Sequence, residues 1–289
     1  CYITLSASLH NLDVYTVSIC LDITPSLLLS RPMKPFKDSK HTKAGARFYV
    51  NQAISDDTAV LDLPKEITKH ALSSLRLKEG NLFHIFNGKG GEYLSKLILP
   101  PNGNAKAEII AYETPNTESS LDICLVQSYL SNEKMNFLIQ KATELGINEI
   151  NIFKSERSSF KVTKDQLNKK KAHWTKVAIA ACEQSGRTRI PKIETFQSLE
   201  SLISGPSASE PTEEKLILCP KGSKTIEIIT RPPERVVIAV GPEGGFTKQE
   251  VASAISCGFS DIRLGPRTLR TETAGISLIA GIQTLWGDF

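Results

Sequence analysis

The sequence is poor in the arrangements that tie a chain to a metal or a set of disulfides. Its 6 cysteines, at positions 1, 20, 124, 182, 219 and 257, form no C-x-x-C pair. Their spacing fits neither a zinc site nor a small disulfide framework. Reduced, mostly buried thiols are expected instead. The 5 histidines, His10, His41, His70, His84 and His173, include no two spaced as ligands on one helix face. No metal is therefore assigned. Long apolar runs are also missing. The longest candidate, around Leu27–Leu29, is interrupted upstream by Asp13 and Asp22, so no membrane partner is expected. Charge imbalance is small, a net +4 spread along the chain. That permits an anionic partner without requiring one. The densest basic run, Lys169–Lys171, suits a solvated helix face. There is no internal repeat and no low-complexity tract.

Glutamate is absent from the first 46 residues, which hold Arg31, Lys34, Lys37, Lys40 and Lys43 among many Ser and Thr. Residues 1–43 therefore read as a leader, either an organelle transit peptide or a disordered tail. The first reading implies a plastid or mitochondrion, the second the cytoplasm.

The 289 residues, 40% of them apolar, suit one large domain or two ordinary ones. From Arg47 the texture is strand-like. "RFYV", "AVLDL", "NLFHIF", "GGEYLSKLIL" and "AKAEIIAYE" read as short strands with "EITKHALSSL" as a helix. A small β-barrel over 44–117 is expected, with a polar linker at 114–120. Beyond it, over 121–289, strands such as "LDICLVQ", "NEINIF", "KLILC" and "RVVIAV" alternate with amphipathic helices. That pattern predicts an α/β domain with a mostly parallel sheet covered on both faces.

One loop stands out. In "RVVIAVGPEGGFTKQE", 235–250, an apolar strand stops at Gly-Pro-Glu-Gly-Gly, and Thr247 to Glu250 fits a capping box. Gly241, Gly244 and Gly245 are free to take positive φ and to let a ligand approach the backbone. A strand, a bare loop and a helix N-terminus make a binding shelf at the carboxyl edge of a sheet. Phosphate is the obvious ligand to consider, but no Gly-Lys-Ser/Thr follows and the loop is not G-x-G-x-x-G. Glu243 would also repel phosphate. It suits a ligand with neutral or positive groups, such as an adenosyl ribose or a sulfonium. "RLGPRTLRTETAG", 263–275, repeats the architecture: Arg267 and Arg270 bracket a turn into a helix entered through Thr271 or Thr273.

"GPEGGFTKQE" followed by "LGPRTLRTETAG", with "HALSSLRLKEGN", "KMNFLIQKATELGI", "SERS" and "EQSGRTRIP" in order before them, resembles the SPOUT-superfamily methyltransferases of the RsmE type. The resemblance spans nearly all of 46–289. It implies an N-terminal PUA-like RNA-binding barrel and a C-terminal α/β domain with a trefoil knot. It further implies S-adenosylmethionine as methyl donor, N3 of a uridine in small-subunit ribosomal RNA as acceptor, ribosomal RNA or the small subunit as partner, and a homodimer. The implied cofactor residues are Leu218 and Cys219; Gly241, Pro242, Glu243 and Gly244; and Ile262, Leu264, Gly265 and Leu269. Arg270, Glu272 and Arg157 are the candidate catalytic residues, Arg270 as a cation toward the uracil oxygens and Glu272 as proton acceptor or holder of Arg270. Arg47, Arg76, Lys78, Gln184, Arg187 and Arg189 are candidate RNA contacts. Where the family usually has Val-Leu-Arg, this chain has Ser74-Leu75-Arg76. Three other readings stay open: a non-catalytic RNA-binding assembly factor, a methyltransferase for another base, and a nucleotide-phosphate enzyme using the glycine shelf.

Overall fold

A computed structural model describes residues 42–55, 58–158, 163–203 and 212–289. The expected leader lies outside the described residues except at its end, because strand β1 already begins at Thr42.

The first sheet comprises β1 (Thr42–Tyr49), β2 (Val60–Asp62), β3 (Leu82–Phe86), β4 (Glu92–Ile98) and β5 (Lys106–Glu113). Its order is β1-β3-β4-β5-β2, with β1 parallel to β3 and the other pairs antiparallel. The hydrogen-bonded ladder is thus open between β1 and β2. All five strands still feed one core: Phe48, Leu61, Phe83, Ile85, Leu97 and Ala107 bury together. Helix α1 (Lys65–Lys69) runs into a π-helical turn at His70–Ser74, and Ala71 within that turn packs on this core.

The second sheet carries β6 (Asp122–Ser128), β7 (Glu149–Phe153), β8 (Lys192–Phe196), β9 (Glu213–Leu218), β10 (Arg235–Val240) and β11 (Ser260–Ile262). The order is β11-β9-β10-β6-β7-β8 and every pairing is parallel. Period-2 alternation divides the apolar strands between two layers. Ile123, Leu125, Val236 and Ile238 face the cluster built with α2 (Asn132–Glu144), α3 (Lys164–Ser185) and α6 (Thr271–Trp286). Cys124, Val126, Val237 and Ala239 face the cluster holding Leu199 of α4 (Leu199–Ile203) and Ala254 of α5 (Lys248–Ser256). This is why the central strands read as unbroken apolar runs. Edge strand β8 and short α4 escape the sequence reading, since "KIETF" is mostly polar and only Ile193 in it is buried.

The two sheets are joined by polar groups that sequence reading takes for a linker and an RNA grip. Glu118 accepts from the Arg187 guanidinium at 3.1 and 2.8 Å and from the backbone N–H of Thr188 and Arg189 at 2.7 and 2.9 Å. Arg187 also donates to the carbonyls of Thr143 and Ile147. Arg47 of β1 donates to Glu92 at 2.8 and 2.6 Å and to the carbonyls of Cys182 and Arg187 at 2.7 and 3.1 Å. The backbone N–H of Tyr49 donates to Glu183 at 2.9 Å.

Among the described cysteines, Cys124 and Cys182 are buried and Cys219 and Cys257 half-buried, all as free thiols. Burial, with Glu149 adding to it, pushes the Cys124 thiol up to about 12. Burial does the same to Cys182, also to about 12. An unfolded thiol ionises near 8.5. Below that value both states hold the proton and the two thiols have no pH effect. Between about 9 and 12 only the folded chain keeps it, so stability falls as pH rises. In chemical denaturation across that window, a Cys124→Ala/Cys182→Ala variant is expected to show a shallower loss than the parent. The difference should approach roughly 5 kcal/mol for each thiol at the top of the window, since a tenfold change in a proton's affinity is worth about 1.4 kcal/mol. Equal slopes would mean that the buried thiols ionise freely.

Candidate active site

The carboxyl ends of β9, β10 and β11 lie side by side in the sheet, and the chain leaving each one builds a wall of a cleft of about 220 Å³. Leu218 and Cys219 follow β9; Gly241, Pro242, Glu243 and Gly244 follow β10; Leu264, Gly265 and Leu269 follow β11. Pro220, Val240, Gly245, Arg267, Thr268, Thr271 and Ala274 complete the lining. Nine of the ten residues expected to hold a cofactor therefore meet in one place. Ile262 does not line the cleft. It is fully buried at the end of β11, where its carbonyl accepts from the Cys219 N–H at 2.9 Å. The Arg263 N–H donates to the Lys224 carbonyl at 2.9 Å, so the first and third walls are stitched together beneath the opening.

The glycine loop is held from behind. Gly245, at φ +69°, closes a turn by donating to the Pro242 carbonyl at 2.8 Å. Gly241 and Gly244, expected to share this freedom, do not use positive φ. Gly241 is needed for space, since a Cβ there would lie 3.0 Å from the Phe246 ring. Phe246 stacks on Phe153 of β7. The capping box of α5 forms as the sequence predicts, with Glu250 accepting from the Thr247 N–H at 2.8 Å. The other oxygen of Glu250 accepts from Ser155 Oγ at 2.8 Å and the Glu156 N–H at 3.2 Å. Arg157 donates to the carbonyls of Gly244 and Phe246 at 3.2 and 3.3 Å. The "SERS" segment thus clamps the loop. Arg157 bonds to the loop's carbonyls and is absent from the lining.

Charged residues flank the lining. Lys134, in the first turn of α2, pairs with Glu243 of the glycine loop. Arg270 is the exposed N-cap residue of α6. Glu272 is buried, and its Oε2 has no hydrogen-bond partner. Neither Arg270 nor Glu272 is part of the lining. Lys134 was not singled out from the sequence. It stands 109 positions from its partner, and no local pattern joins the two.

Arg76, Lys78, Gln184 and Arg189 are exposed, as a nucleic-acid contact requires, and Arg76 adopts φ 52°. Arg47 and Arg187 are not available. Their side chains are 9% and 3% exposed and bonded internally, which corrects their reading as phosphate contacts. His84, Glu92 and Glu113 bring possible ligand atoms within 4.8 Å of one another in the first sheet, but Glu92 is committed to Arg47. Among the described residues no helix is long and apolar enough to cross a membrane.

The cleft fits an adenosyl sulfonium. Leu218, Val240, Leu264, Leu269 and Ala274 offer an apolar berth, the loops expose main-chain groups, and a carboxylate, not a phosphate-binding lysine, occupies the glycine loop. Residues 117–283 match the family model of the RNA methyltransferase domain, and residues 63–110 that of the RNA methyltransferase PUA domain. The ribosomal RNA small subunit methyltransferase E of Buchnera aphidicola (subsp. Schizaphis graminum) is 36% identical over 229 residues, covering 79% of this chain and 92% of the relative. The crystal structure of that enzyme from Neisseria gonorrhoeae, bound to S-adenosyl methionine, aligns with TM-score 0.75 and 36% identity over 84% of this chain and 99% of that one. A methyltransferase of Legionella pneumophila, in complex with the same cofactor, aligns with TM-score 0.77 and 33% identity over 84% and 98% of the two chains. The fold and site are those of an RNA methyltransferase with a PUA domain. The chain belongs to the ribosomal RNA small subunit methyltransferase E family.

Proposed function

We propose that this protein uses S-adenosylmethionine to methylate N3 of a uridine in small-subunit ribosomal RNA. It acts as a homodimer with a knotted methyltransferase domain at 121–289 and an RNA-binding domain at 44–117. The observation that carries this reading is the cleft itself: three loops at the ends of parallel strands, rich in main chain and apolar surface, with Glu243 as its acidic side chain. The compartment is an organelle if residues 1–43 act as a transit peptide, and the cytoplasm otherwise.

The cofactor supplies a methyl group on a sulfonium, whose departure as a neutral thioether needs no acid. What remains for the protein is alignment and charge. Uridine N3 carries a proton, and its lone pair is free to attack only once that proton has left. Holding N3 in line with the methyl carbon is worth about 7–11 kcal/mol in favourable cases. The walls stitched at Cys219–Ile262 and the Arg157 clamp fix that alignment. Arg270, exposed at the N-terminus of α6, faces the negative charge that grows on the uracil oxygens, in the manner of an oxyanion hole. Glu272, with an unpartnered oxygen one residue beyond the lining residue Thr271, takes the N3 proton or holds Arg270. Arg76, Lys78, Gln184 and Arg189 grip the RNA, mostly through its phosphates.

Nucleoside mass spectrometry of ribosomal RNA from cells with and without the protein is expected to show one N3-methyluridine lost from the small subunit. In vitro, Arg270→Ala should lower kcat by about 10²–10³, the size of losing one oxyanion donor, with affinity for S-adenosylhomocysteine within about threefold by calorimetry. RNA that binds but is never methylated would identify an assembly factor instead. A methyl group on another base would keep the chemistry and move the target.

A further inference from the structure

The Lys134–Glu243 pair is poorly suited to a purely structural role. It joins the start of α2 to the glycine loop across the mouth of the cleft, with side chains 28% and 49% exposed. Pairs this open contribute little to stability. Its surroundings are better explained by chemistry. The hydrogen bond that the Lys134 ammonium donates to Glu243 holds it above its ordinary pKa, the charge of Glu272 adding to the effect and that of Arg270 opposing it. Lys134 therefore sits within the electrostatic reach of all three: Glu243 on the glycine loop, Arg270 at the N-cap of α6, and Glu272 in its first turn. Lys134 pairs with Glu243 of the cleft lining, Arg270 and Glu272 stand on either side of the lining residue Thr271, and Glu272 has a buried oxygen with no partner.

Removing the N3 proton from uracil leaves an anion whose charge is shared between O2 and O4, the two carbonyls flanking N3. One cation can face only one of these oxygens. We infer that Lys134 is the second cation of the reaction, neutralising one uracil oxygen while Arg270 neutralises the other. This rests on the methyltransferase reading given above. The N3 proton passes to Glu272. The freed N3 lone pair then forms the new N–C bond as the sulfur–methyl bond breaks, with that bond's electron pair staying on sulfur, and the proton on Glu272 is later lost to water. Glu243 holds the Lys134 ammonium at the mouth until the base arrives. The same pair ties the cofactor loop to the base site.

The test reads the ionisation of the base directly, apart from turnover. A short RNA carrying the target sequence, with 5-fluorouridine at the methylated position, is bound to the protein with S-adenosylhomocysteine and followed by fluorine NMR against pH. An opposite charge within a few ångströms lowers an acid's pKa by roughly 1–3 units. The fluorouracil in the parent complex is therefore expected to ionise about 1 pH unit or more below that in the Lys134→Met complex, with Lys134→Arg recovering most of the difference. Affinity for S-adenosylhomocysteine, measured by calorimetry, should stay within about threefold of the parent in both variants. Turnover on unmodified RNA should fall about tenfold or more in Lys134→Met, matching one pH unit of lost stabilisation. Identical ionisation in the parent and Lys134→Met complexes would overturn the inference, and so would a variant that loses cofactor affinity alone. A parent protein that binds the RNA but never methylates it would instead overturn the reading on which the inference rests.

Discussion

Arg187→Ala is expected to unfold near 10 °C below the parent protein in a thermal melt. The guanidinium is 3% exposed and donates in two directions, to Glu118 and to the carbonyls of Thr143 and Ile147 at the end of α2. Removing it takes the donor from the Ile147 carbonyl, leaves the Thr143 carbonyl with only the Gly146 N–H, and leaves a carboxylate without its cation. Breaking a buried pair from one side costs about 3–5 kcal/mol, and in a chain of this size each kcal/mol moves the midpoint by about 2–4 °C. Arg187→Lys should recover only part of the loss, because one ammonium cannot reach both targets with the fork of a guanidinium. Were Arg187 an RNA contact alone, the melt would stay unchanged and RNA affinity would fall. The two outcomes separate cleanly by calorimetry and filter binding.

Gly222→Ala should cost the most cofactor affinity for the smallest change in side chain. An added Cβ would stand 2.6 Å from the Ile262 carbonyl carbon, 2.8 Å from its oxygen and 2.9 Å from the Arg263 nitrogen. All three are backbone atoms, so no side chain can swing aside. The strand end must move, and with it the hydrogen bond from Arg263 N–H to the Lys224 carbonyl and the bridge between Lys224 and Ile262. Leu264, Gly265 and Leu269 hang from that strand and form the third wall. Overpacking of this kind costs about 1–3 kcal/mol, equivalent to roughly 5–150-fold in the dissociation constant for S-adenosylhomocysteine. Far-ultraviolet circular dichroism should remain at the parent level. Parental affinity in calorimetry would show that the first and third walls move independently.

The parts of this molecule that sequence reveals are those built from local rules. Strands β6, β9 and β10 announce themselves through apolar runs, and α5 through its capping box, because a few neighbouring residues determine each. The loops that wall the cleft are legible because glycine and proline at strand ends have few structural alternatives. What escaped reading depends on partners distant in sequence. Glu118 looks like one more polar residue in "TPNTESS" until Arg187, 69 positions on, supplies its charge. Arg47 and Arg187 look like hands for RNA because a free arginine and an internal one are spelled alike. Lys134 has the same difficulty with Glu243. Ile262 reads as a cofactor contact because it stands beside residues that line the cleft. Only the fold shows that it lies one layer down, holding Cys219 in place.

The chain of bonds from Glu92 through Arg47 and Arg187 to Glu118 has a geometric consequence. A swivel between the two sheets would have to break the bonds of the Arg47 guanidinium to the Cys182 and Arg187 carbonyls and that of the Tyr49 N–H to Glu183 at once, so the body behaves as a caliper with fixed jaws. The span from the exposed Arg76 to the cleft is then a constant of the molecule, set by the fold and not by what either jaw meets.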